Sequence, residues 1–224
     1  ASSFVSMVMV CGIDEAGRGP VIGPLIIAGV MVEKGKEAHL KELGVKDSKL
    51  LAHKERLRLM EHIKRVADEY LILTVSVDEI DEVVENSTKT KNLNWLEARK
   101  SAEIINELDP EVAILDCPST NTKAYKEFVE NLLTTKTQII AEHKADVNHP
   151  VVSAASILAK CVREEEMEKI QKKYGNCGPG YPANETTQEF LKKNWNKYPE
   201  IFRKSWKSYK AGAGKNDQKK LGEF

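Results

Sequence analysis

Two kinds of apolar pattern alternate along this chain, and together they predict an α/β fold. Short runs rich in β-branched residues indicate buried strands, whereas apolar residues spaced three and four apart indicate helices. The short runs predict five strands, at residues 8–13, 25–32, 71–77, 112–116 and 137–141. The helical spacing predicts helices at residues 52–70, 94–108, 123–133 and about 151–174.

The order of these elements predicts how the sheet is built. Residues 15–24, which join the first two strands, are rich in glycine and proline, so a hairpin is expected. Later strands alternate with helices, which indicates an α/β sandwich with a five-stranded mixed sheet flanked by helices. We expect one domain over residues 1–175, a helical C-terminal part over 176–210 and a flexible, lysine-rich tail over 211–224.

Composition and charge narrow the class of protein. The 34 basic and 34 acidic side chains give a formal net charge of zero, so any nucleic-acid site must be local. The longest apolar run, residues 21–32, is interrupted by Gly23 and Pro24 and is too short to span a bilayer. Residues 1–9 lack the basic start and long apolar region of a secretory signal. We therefore expect a cytoplasmic protein with no membrane association and, because its cysteines form no Cys-x-x-Cys pair, with reduced thiols.

Four acidic residues follow apolar strands. Asp14 and Glu15 come at the end of the first strand, Asp116 closes the fourth, and Asp146 follows the fifth. Acids in such places are often separate turn or cap residues, and this interpretation stays open. However, open α/β sheets place ligands at one edge, and clustered carboxylates repel each other unless hard cations bind them. Oxygen ligands without His or Cys favour Mg²⁺ or Mn²⁺, and two such ions about 4 Å apart suit phosphodiester hydrolysis.

Five motifs of this chain, in their order as well as their content, closely resemble ribonuclease HII in its archaeal form. They are residues 12–20 (GIDEAGRGP), 45–50 (VKDSKL), 141–146 (AEHKAD), 153–160 (SAASILAK) and 178–182 (GPGYP). The match spans nearly the whole chain, and several ordered motifs are far more specific than one short pattern. The resemblance implies a ribonuclease H-like fold, with catalysis in residues 1–175 and substrate binding in 176–210.

The resemblance also implies the reaction. In that family the acids matching Asp14, Glu15, Asp116 and Asp146 bind two metal ions, here Mg²⁺ or Mn²⁺, of which one activates water and the other stabilises the leaving 3′-oxygen. The expected activity is that of a metal-dependent endonuclease acting on the RNA strand of RNA/DNA hybrids. It is also expected to nick DNA duplexes on the 5′ side of single ribonucleotides, leaving 5′-phosphate and 3′-hydroxyl ends. Such an enzyme would serve ribonucleotide removal and RNA primer processing.

Substrate contacts are implied for six further residues. Gly17, Arg18 and Gly19 alone would be a tight turn, but in the family this backbone approaches the 2′-hydroxyl that distinguishes RNA from DNA. Tyr181 could be an ordinary half-buried aromatic residue; by resemblance its ring packs on the sugar at the RNA-to-DNA junction and its hydroxyl helps to recognise the 2′-hydroxyl.

Two lysines complete this set, and one asparagine is expected to have a structural role. Lys49, usually a solvated loop residue, is expected to hold a phosphate, and Lys160 either supports the acids electrostatically or caps a core helix. Asn184 stands at the position where many relatives carry Asp, and it is expected to cap a helix that begins at Glu185.

The last seven residues match a motif that docks on the replication sliding clamp. Residues 218–224 (QKKLGEF) have the form Q-x-x-aliphatic-x-x-aromatic. The expected partner is the clamp PCNA, with Leu221 and Phe224 in an apolar pocket and Gln218 beside it. Archaeal proteins that resemble this chain end similarly. The alternative is a solvated end without a partner.

Other functions remain open at this point. A type 3 ribonuclease H would cut hybrids but act poorly on isolated ribonucleotides, and the combination of Gly17, Gly19 and Tyr181 argues against it. An inactive hybrid-binding module is disfavoured by the four intact acids. The case for dinucleotide binding is weaker still, because the glycine-rich turn joins two strands and does not open a helix.

We expect the protein to be a monomer.

Overall fold

The computed structural model describes residues 7–45, 51–88 and 92–221, with the side chains of 215–221 outside the description. It contains one five-stranded sheet in the order β3-β2-β1-β4-β5. The strands are β1 (Met9–Ala16), β2 (Leu25–Glu33), β3 (Glu69–Val75), β4 (Val112–Asp116) and β5 (Gln138–Glu142). All five coincide with predicted strands, and β1 continues past its predicted end, so that Asp14 and Glu15 are strand residues.

The sheet is mixed, as the sequence predicts. β1 pairs antiparallel with β2, which is the expected hairpin, and parallel with β4. β4 in turn pairs parallel with β5, and Asp116 lies opposite Glu142. Eight of the nine residues of β2 are buried, which explains why this strand has a continuous apolar run instead of an alternating pattern.

The described helices include the four whose ranges the sequence predicts, a fifth expected to begin at Glu185, and several that the sequence does not predict. They are α1 (Glu37–Glu42), α2 (His53–Val66), α3 (Val77–Glu85), α4 (Leu93–Leu108), α5 (Thr122–Leu132), α6 (Ala145–Asn148), α7 (Pro150–Tyr174), α8 (Glu185–Asn194) and α9 (Lys207–Leu221). As expected, Asn184 caps α8, its side chain accepting a hydrogen bond from the Thr187 amide at 3.1 Å. Within the described residues, no helix is both long enough and apolar enough to cross a membrane.

The chain forms two compact units, and each draws on three separate segments. The first unit comprises residues 1–16, 26–73 and 94–161, and the second comprises 17–25, 74–93 and 162–224. These boundaries differ from the predicted division at residue 175, because short segments that precede and follow the sheet strands belong to the second unit. The functional roles given to residues 1–175 and 176–210 stay predictions.

An apolar cluster forms the core of the second unit. Ile22 forms an isolated antiparallel bridge with Phe202, and both side chains are fully buried. Around them pack other buried residues, some from α7 and α8 and some from loops, together with half-buried aromatic side chains: Val21, Met167, Cys177, Phe190, Leu191, Ile201, Tyr174, Trp195, Tyr198, Trp206 and Tyr209. This cluster fixes residues 17–25 on the unit to which they belong.

The C-terminal segment differs from the prediction. Where the sequence predicts a flexible tail from residue 211, the structure has helical backbone in α9 as far as Leu221. Alanine, lysine, glutamine and leucine are good helix formers and outweigh Gly212 and Gly214, each of which costs about 1 kcal/mol. The helix also packs on α8, since a Cβ at Gly212 would lie 3.5 Å from Leu191. Phe224 lies outside the described residues.

Candidate active site

Three aspartates converge in the first unit. Asp14 is near the end of β1, Asp116 is the last residue of β4, and Asp146 lies in α6 directly after β5. One carboxylate oxygen from each of them lies within 4.8 Å of the others. Because β1, β4 and β5 run parallel, their carboxyl ends meet at the same edge of the sheet, where this class of fold places ligands.

Local hydrogen bonds hold these aspartates in place. The Glu15 amide donates to the carboxylate of Asp14 at 2.8 Å, and the hydroxyl of Ser156 in α7 also bonds to it. The amide of Ala145 donates to Asp116 at 3.0 Å, which ties the end of β4 to the start of α6. The cluster therefore rests on strand ends and helix starts, which are rigid supports.

Electrostatic repulsion is built into this cluster. Burial, together with the charges of Asp116 and Asp146, raises the pKa of Asp14 to about 6, against the lowering effect of the hydrogen bonds from Ser156 and Glu15. Asp14 is only 6% exposed and Asp146 only 8%. A divalent cation would offset this cost, and an all-oxygen donor set fits Mg²⁺ or Mn²⁺. The three aspartates can therefore hold a metal ion.

Glu15 is not one of the three residues whose carboxylate oxygens lie within 4.8 Å of one another, so its place in the predicted group of four stays a prediction. Burial is the largest cause of the raised pKa values of Cys117 and Tyr125; the charge of Glu15 contributes to both, and for Cys117 it acts together with the charge of Asp116. The negative charge of Glu97, a residue of α4 that is 2% exposed, also raises the pKa values of Cys117 and Tyr125. Sequence reasoning missed Glu97; its signal is an acid among the apolar positions of a predicted helix.

Glu142 and His149 are further neighbours that sequence reasoning gave no role. Glu142 pairs with Asp116 across the two strands, and its carboxylate contacts the imidazole Nε2 of His149. The Nδ1 atom of His143 lies 3.1 Å from the carbonyl oxygen of Cys117. These contacts fasten the segment between β5 and α7, which carries Asp146.

The predicted substrate-recognition residues come together in the second unit. Gly17 has φ +86°, a conformation that favours glycine, and Gly19 is exposed. A Cβ at Gly19 would lie 3.7 Å from Cε1 of Tyr181, so the turn and the tyrosine ring are neighbours. Tyr181 is 47% exposed, and Arg18 is half-buried. The amide of Val21 donates to the carbonyl of Gly180 at 2.8 Å and so ties the two segments together.

Further residues with predicted contacts are Lys160, Lys49, Gln218 and Leu221. Lys160 is a half-buried residue of α7, one helical turn after Ser156 and on the same helix face. Lys49 lies outside the described residues. The backbone of Gln218 and Leu221 is helical, but their side chains lie outside the description.

Comparisons with known proteins identify the family of this chain. A family model described as ribonuclease HII matches residues 11–209. Ribonuclease HII of Pyrococcus furiosus is 44% identical over 202 residues, which cover 88% of this chain and 88% of that protein. The crystal structure of the ribonuclease H2 from Pyrococcus horikoshii OT3 gives a TM-score of 0.86 at 36% identity and covers 93% of this chain and 98% of that one. The PCNA:RNase HII complex from Archaeoglobus fulgidus gives 0.79 at 40% identity and covers 89% and 94%.

Proposed function

Because this chain belongs to the ribonuclease HII family and is a ribonuclease H acting on RNA/DNA hybrids, we propose that it also nicks duplex DNA beside single embedded ribonucleotides. The cut falls on the 5′ side of the ribonucleotide and leaves 5′-phosphate and 3′-hydroxyl ends. The convergence of Asp14, Asp116 and Asp146, with carboxylate oxygens within 4.8 Å of one another, supports the metal-dependent cut. The observation that carries the choice of a ribonucleotide is the proximity of Gly19 to the ring of Tyr181. The cellular role is ribonucleotide removal and RNA primer processing in the cytoplasm.

The three aspartates, with Glu15 added by resemblance to the family, would hold two Mg²⁺ or Mn²⁺ ions. Bound ions would supply Lewis-acid activation of water and stabilisation of the leaving oxygen. The protein itself orients the carboxylates that would bind these ions. The Glu15 amide and Ser156 hydroxyl orient Asp14, and the Ala145 amide orients Asp116, so little reorganisation is needed when cations bind.

Recognition of the ribonucleotide belongs to the turn Gly17, Arg18 and Gly19 together with Tyr181. Small residues in the turn let a sugar approach the backbone closely, and the exposed tyrosine offers both an apolar ring and a hydroxyl. The contact between Gly19 and Tyr181 supports a shared role, since both can face the same sugar. We assign Lys49 to a phosphate and Lys160 to electrostatic support of the acids.

The test is cleavage of three labelled duplexes: DNA with one ribonucleotide, an RNA/DNA hybrid, and all-DNA, each with Mg²⁺, Mn²⁺ or EDTA. The proposal expects a metal-dependent nick 5′ to the ribonucleotide, with the all-DNA duplex intact. Cutting of the hybrid alone would replace the proposal with a type 3 activity. Binding of the hybrid without any cutting would replace it with an inactive binding module.

We also propose that the C-terminal residues dock on the sliding clamp. Two observations support this: the motif formed by Gln218, Leu221 and Phe224, and the likeness to a ribonuclease HII solved in complex with PCNA. Calorimetry with purified clamp should show binding by the full chain and no binding after deletion of residues 218–224. We propose that the chain acts as a monomer. Lys219→Ala, which changes no motif position, is the matched control. Equal binding by the full and shortened chains would remove this partner assignment.

A further inference from the structure

We infer that Arg203 is a positioning residue that sets the shape of the turn at residues 17–19 and thereby the preference for a 2′-hydroxyl. The inference rests on the proposed function of that turn and adds to it a residue from a distant part of the sequence. Arg203 is 0% exposed and is the largest fully buried side chain in the described residues. Such burial of a guanidinium requires that its donors be satisfied.

The donors of Arg203 are directed at backbone carbonyl oxygens of one short segment. Nη2 donates to the carbonyl of Gly17 at 2.6 Å, and Nη1 donates to that of Arg18 at 2.9 Å. Nε donates to the carbonyl of Gly23 at 3.0 Å, where the turn returns to β2. The Arg203 side chain therefore binds the start of this segment, at Gly17 and Arg18, and its end, at Gly23.

Trp206 completes this arrangement from the same segment. Its Nε1 donates to the carbonyl of Gly19 at 3.0 Å, so three consecutive carbonyl groups of the turn accept from Arg203 or Trp206. The guanidinium carbon of Arg203 lies 4.9 Å from the centre of the Trp206 ring, which adds a cation–π contact.

Asp81 fixes the position of these two residues. Its carboxylate accepts from the amides of Lys204 at 2.8 Å and Ser205 at 3.0 Å, which lie between them in the chain. The amide of Arg203 itself donates to the carbonyl of Val21 at 2.8 Å. The segment that holds the turn is therefore itself held at three backbone positions.

Peptide geometry converts these contacts into a recognition surface. No cis peptide bond occurs in the described residues, and in a trans peptide the carbonyl and the following N–H point in opposite directions. With the carbonyls of Gly17 and Arg18 directed at Arg203, the N–H groups of Arg18 and Gly19 are directed away from it. Gly19 is exposed there and adjoins Tyr181. Arg203 thus aims two donors at the place where a sugar would be bound.

The planar guanidinium is essential to this role, because it presents several donors in a fixed fork. A lysine would keep the charge, but its single ammonium group cannot donate to all three carbonyl groups in this geometry. Arg163 provides a matched control. It is also buried, at 6% exposure, and it packs against the turn, since a Cβ at Gly17 would lie 2.8 Å from its Cδ. Its donors, however, are directed at the carbonyls of Pro24 at 3.0 Å, Ile22 at 2.7 Å and Pro179 at 3.4 Å, none of which belongs to the turn at residues 17–19. The Arg163 variant therefore separates packing against the turn from donation to its carbonyl groups.

The test compares single-turnover cleavage of two DNA duplexes that carry either a ribonucleotide or its 2′-fluoro analogue at one position. The ratio of the two rates does not depend on the fraction of enzyme that is folded. For Arg203→Lys we expect the ratio to fall about tenfold or more, because the N–H groups of Arg18 and Gly19 are no longer directed at the sugar. For Arg163→Lys we expect a ratio within about twofold of the parent enzyme, even though both variants melt earlier.

A second variant keeps the inference testable if Arg203→Lys does not fold. Trp206→Phe removes only the donor to Gly19 and keeps a ring beside Arg203, and its ratio should fall about threefold. Unchanged ratios in Arg203→Lys and Trp206→Phe, or equal falls in the Arg203 and Arg163 variants, would overturn the inference. A parent enzyme that cuts both duplexes equally would instead overturn the proposed function of the turn.

Discussion

The two compact units bury charge in opposite ways. The first unit gathers carboxylates of one sign, Asp14, Asp116 and Asp146, within 4.8 Å. The second unit buries two guanidinium groups, Arg163 and Arg203, and each donates to three backbone carbonyl groups. The carboxylates repel each other, whereas the arginines are satisfied by the protein itself.

This difference indicates two roles for buried charge: the aspartates of the first unit are available to bind a cation, whereas the arginines of the second unit stabilise the backbone. The raised pKa of Asp14, about 6, shows that its hydrogen bonds do not compensate for burial and repulsion. A bound cation would compensate for both. The arginines need no further ligand, since carbonyl oxygens replace the water that they lose. Neutralising an acid should therefore remove activity, whereas removing an arginine should remove stability.

The largest expected effect is the loss of cleavage in Asp116→Asn. Asparagine keeps the oxygen that accepts from the Ala145 amide, so the fold should be unchanged. The lost charge weakens cation binding, and we expect cleavage to fall on the order of a thousandfold or more. Turnover in Mg²⁺ and the melting temperature should be measured together. Asp68→Asn, an acid of the first unit that pairs with Lys36, is the control and should keep near-normal turnover.

Next in size is the loss of stability in Arg163→Met. Methionine fills part of the space but leaves the carbonyls of Ile22 and Pro24 without their donor. We expect the free energy of unfolding to fall by about 3 kcal/mol, which is roughly 10 °C in melting temperature for a chain of this size. Thermal and urea unfolding measure this. A melting temperature within a degree or two of the parent would contradict the structural role given to this arginine.

A third prediction concerns pH and metal removal. The folded-state pKa of Asp14 is raised from 3.8 to about 6, so the folded protein binds more protons than the unfolded protein between these values. Hence in EDTA the free energy of unfolding should fall as pH rises from about 4 to about 6, by up to about 3 kcal/mol from this group. Urea unfolding across this range should show a smaller fall in Asp14→Asn. At pH 7 added Mg²⁺ should raise the melting temperature of the parent more than that of the variant.

The smallest expected effect is at Tyr181. Tyr181→Ala should lower cutting at an RNA-to-DNA junction about tenfold relative to a uniform hybrid, and Tyr181→Phe about threefold, because the latter loses only the hydroxyl. Rates on the two substrates give this ratio directly. Tyr70 has similar exposure, 41%, so Tyr70→Ala and Tyr70→Phe are matched controls that should leave the ratio unchanged. A junction-to-hybrid ratio in Tyr181→Ala equal to that of the controls would argue against recognition by this ring.

The sequence predicts the sheet well because its strands are apolar runs with clear ends. It also predicts the aspartate cluster, since Asp116 closes an apolar strand and Asp14 lies in another. α3 is not predicted, because its nine residues are too few for a clear period, although Ser76 caps it by accepting from the Glu79 amide at 3.2 Å. α9 is not predicted because its two glycines are typical of a flexible tail.

Other parts of the site leave no pattern in the sequence. Arg203 donates to a carbonyl 186 positions earlier in the chain, and nothing in the residues around it distinguishes a buried arginine from a solvated one. Such contacts depend on tertiary structure, which periodicity does not encode.

The pairing of β1 with β4 has a consequence for the synthesis of the protein. These strands are separated by about a hundred residues, and Asp146 comes later still. A ribosome must therefore translate past Asp146 before the carboxylates can meet. A nascent chain that stalls or is cleaved earlier has no complete site, so the cell is not exposed to an unfinished nuclease.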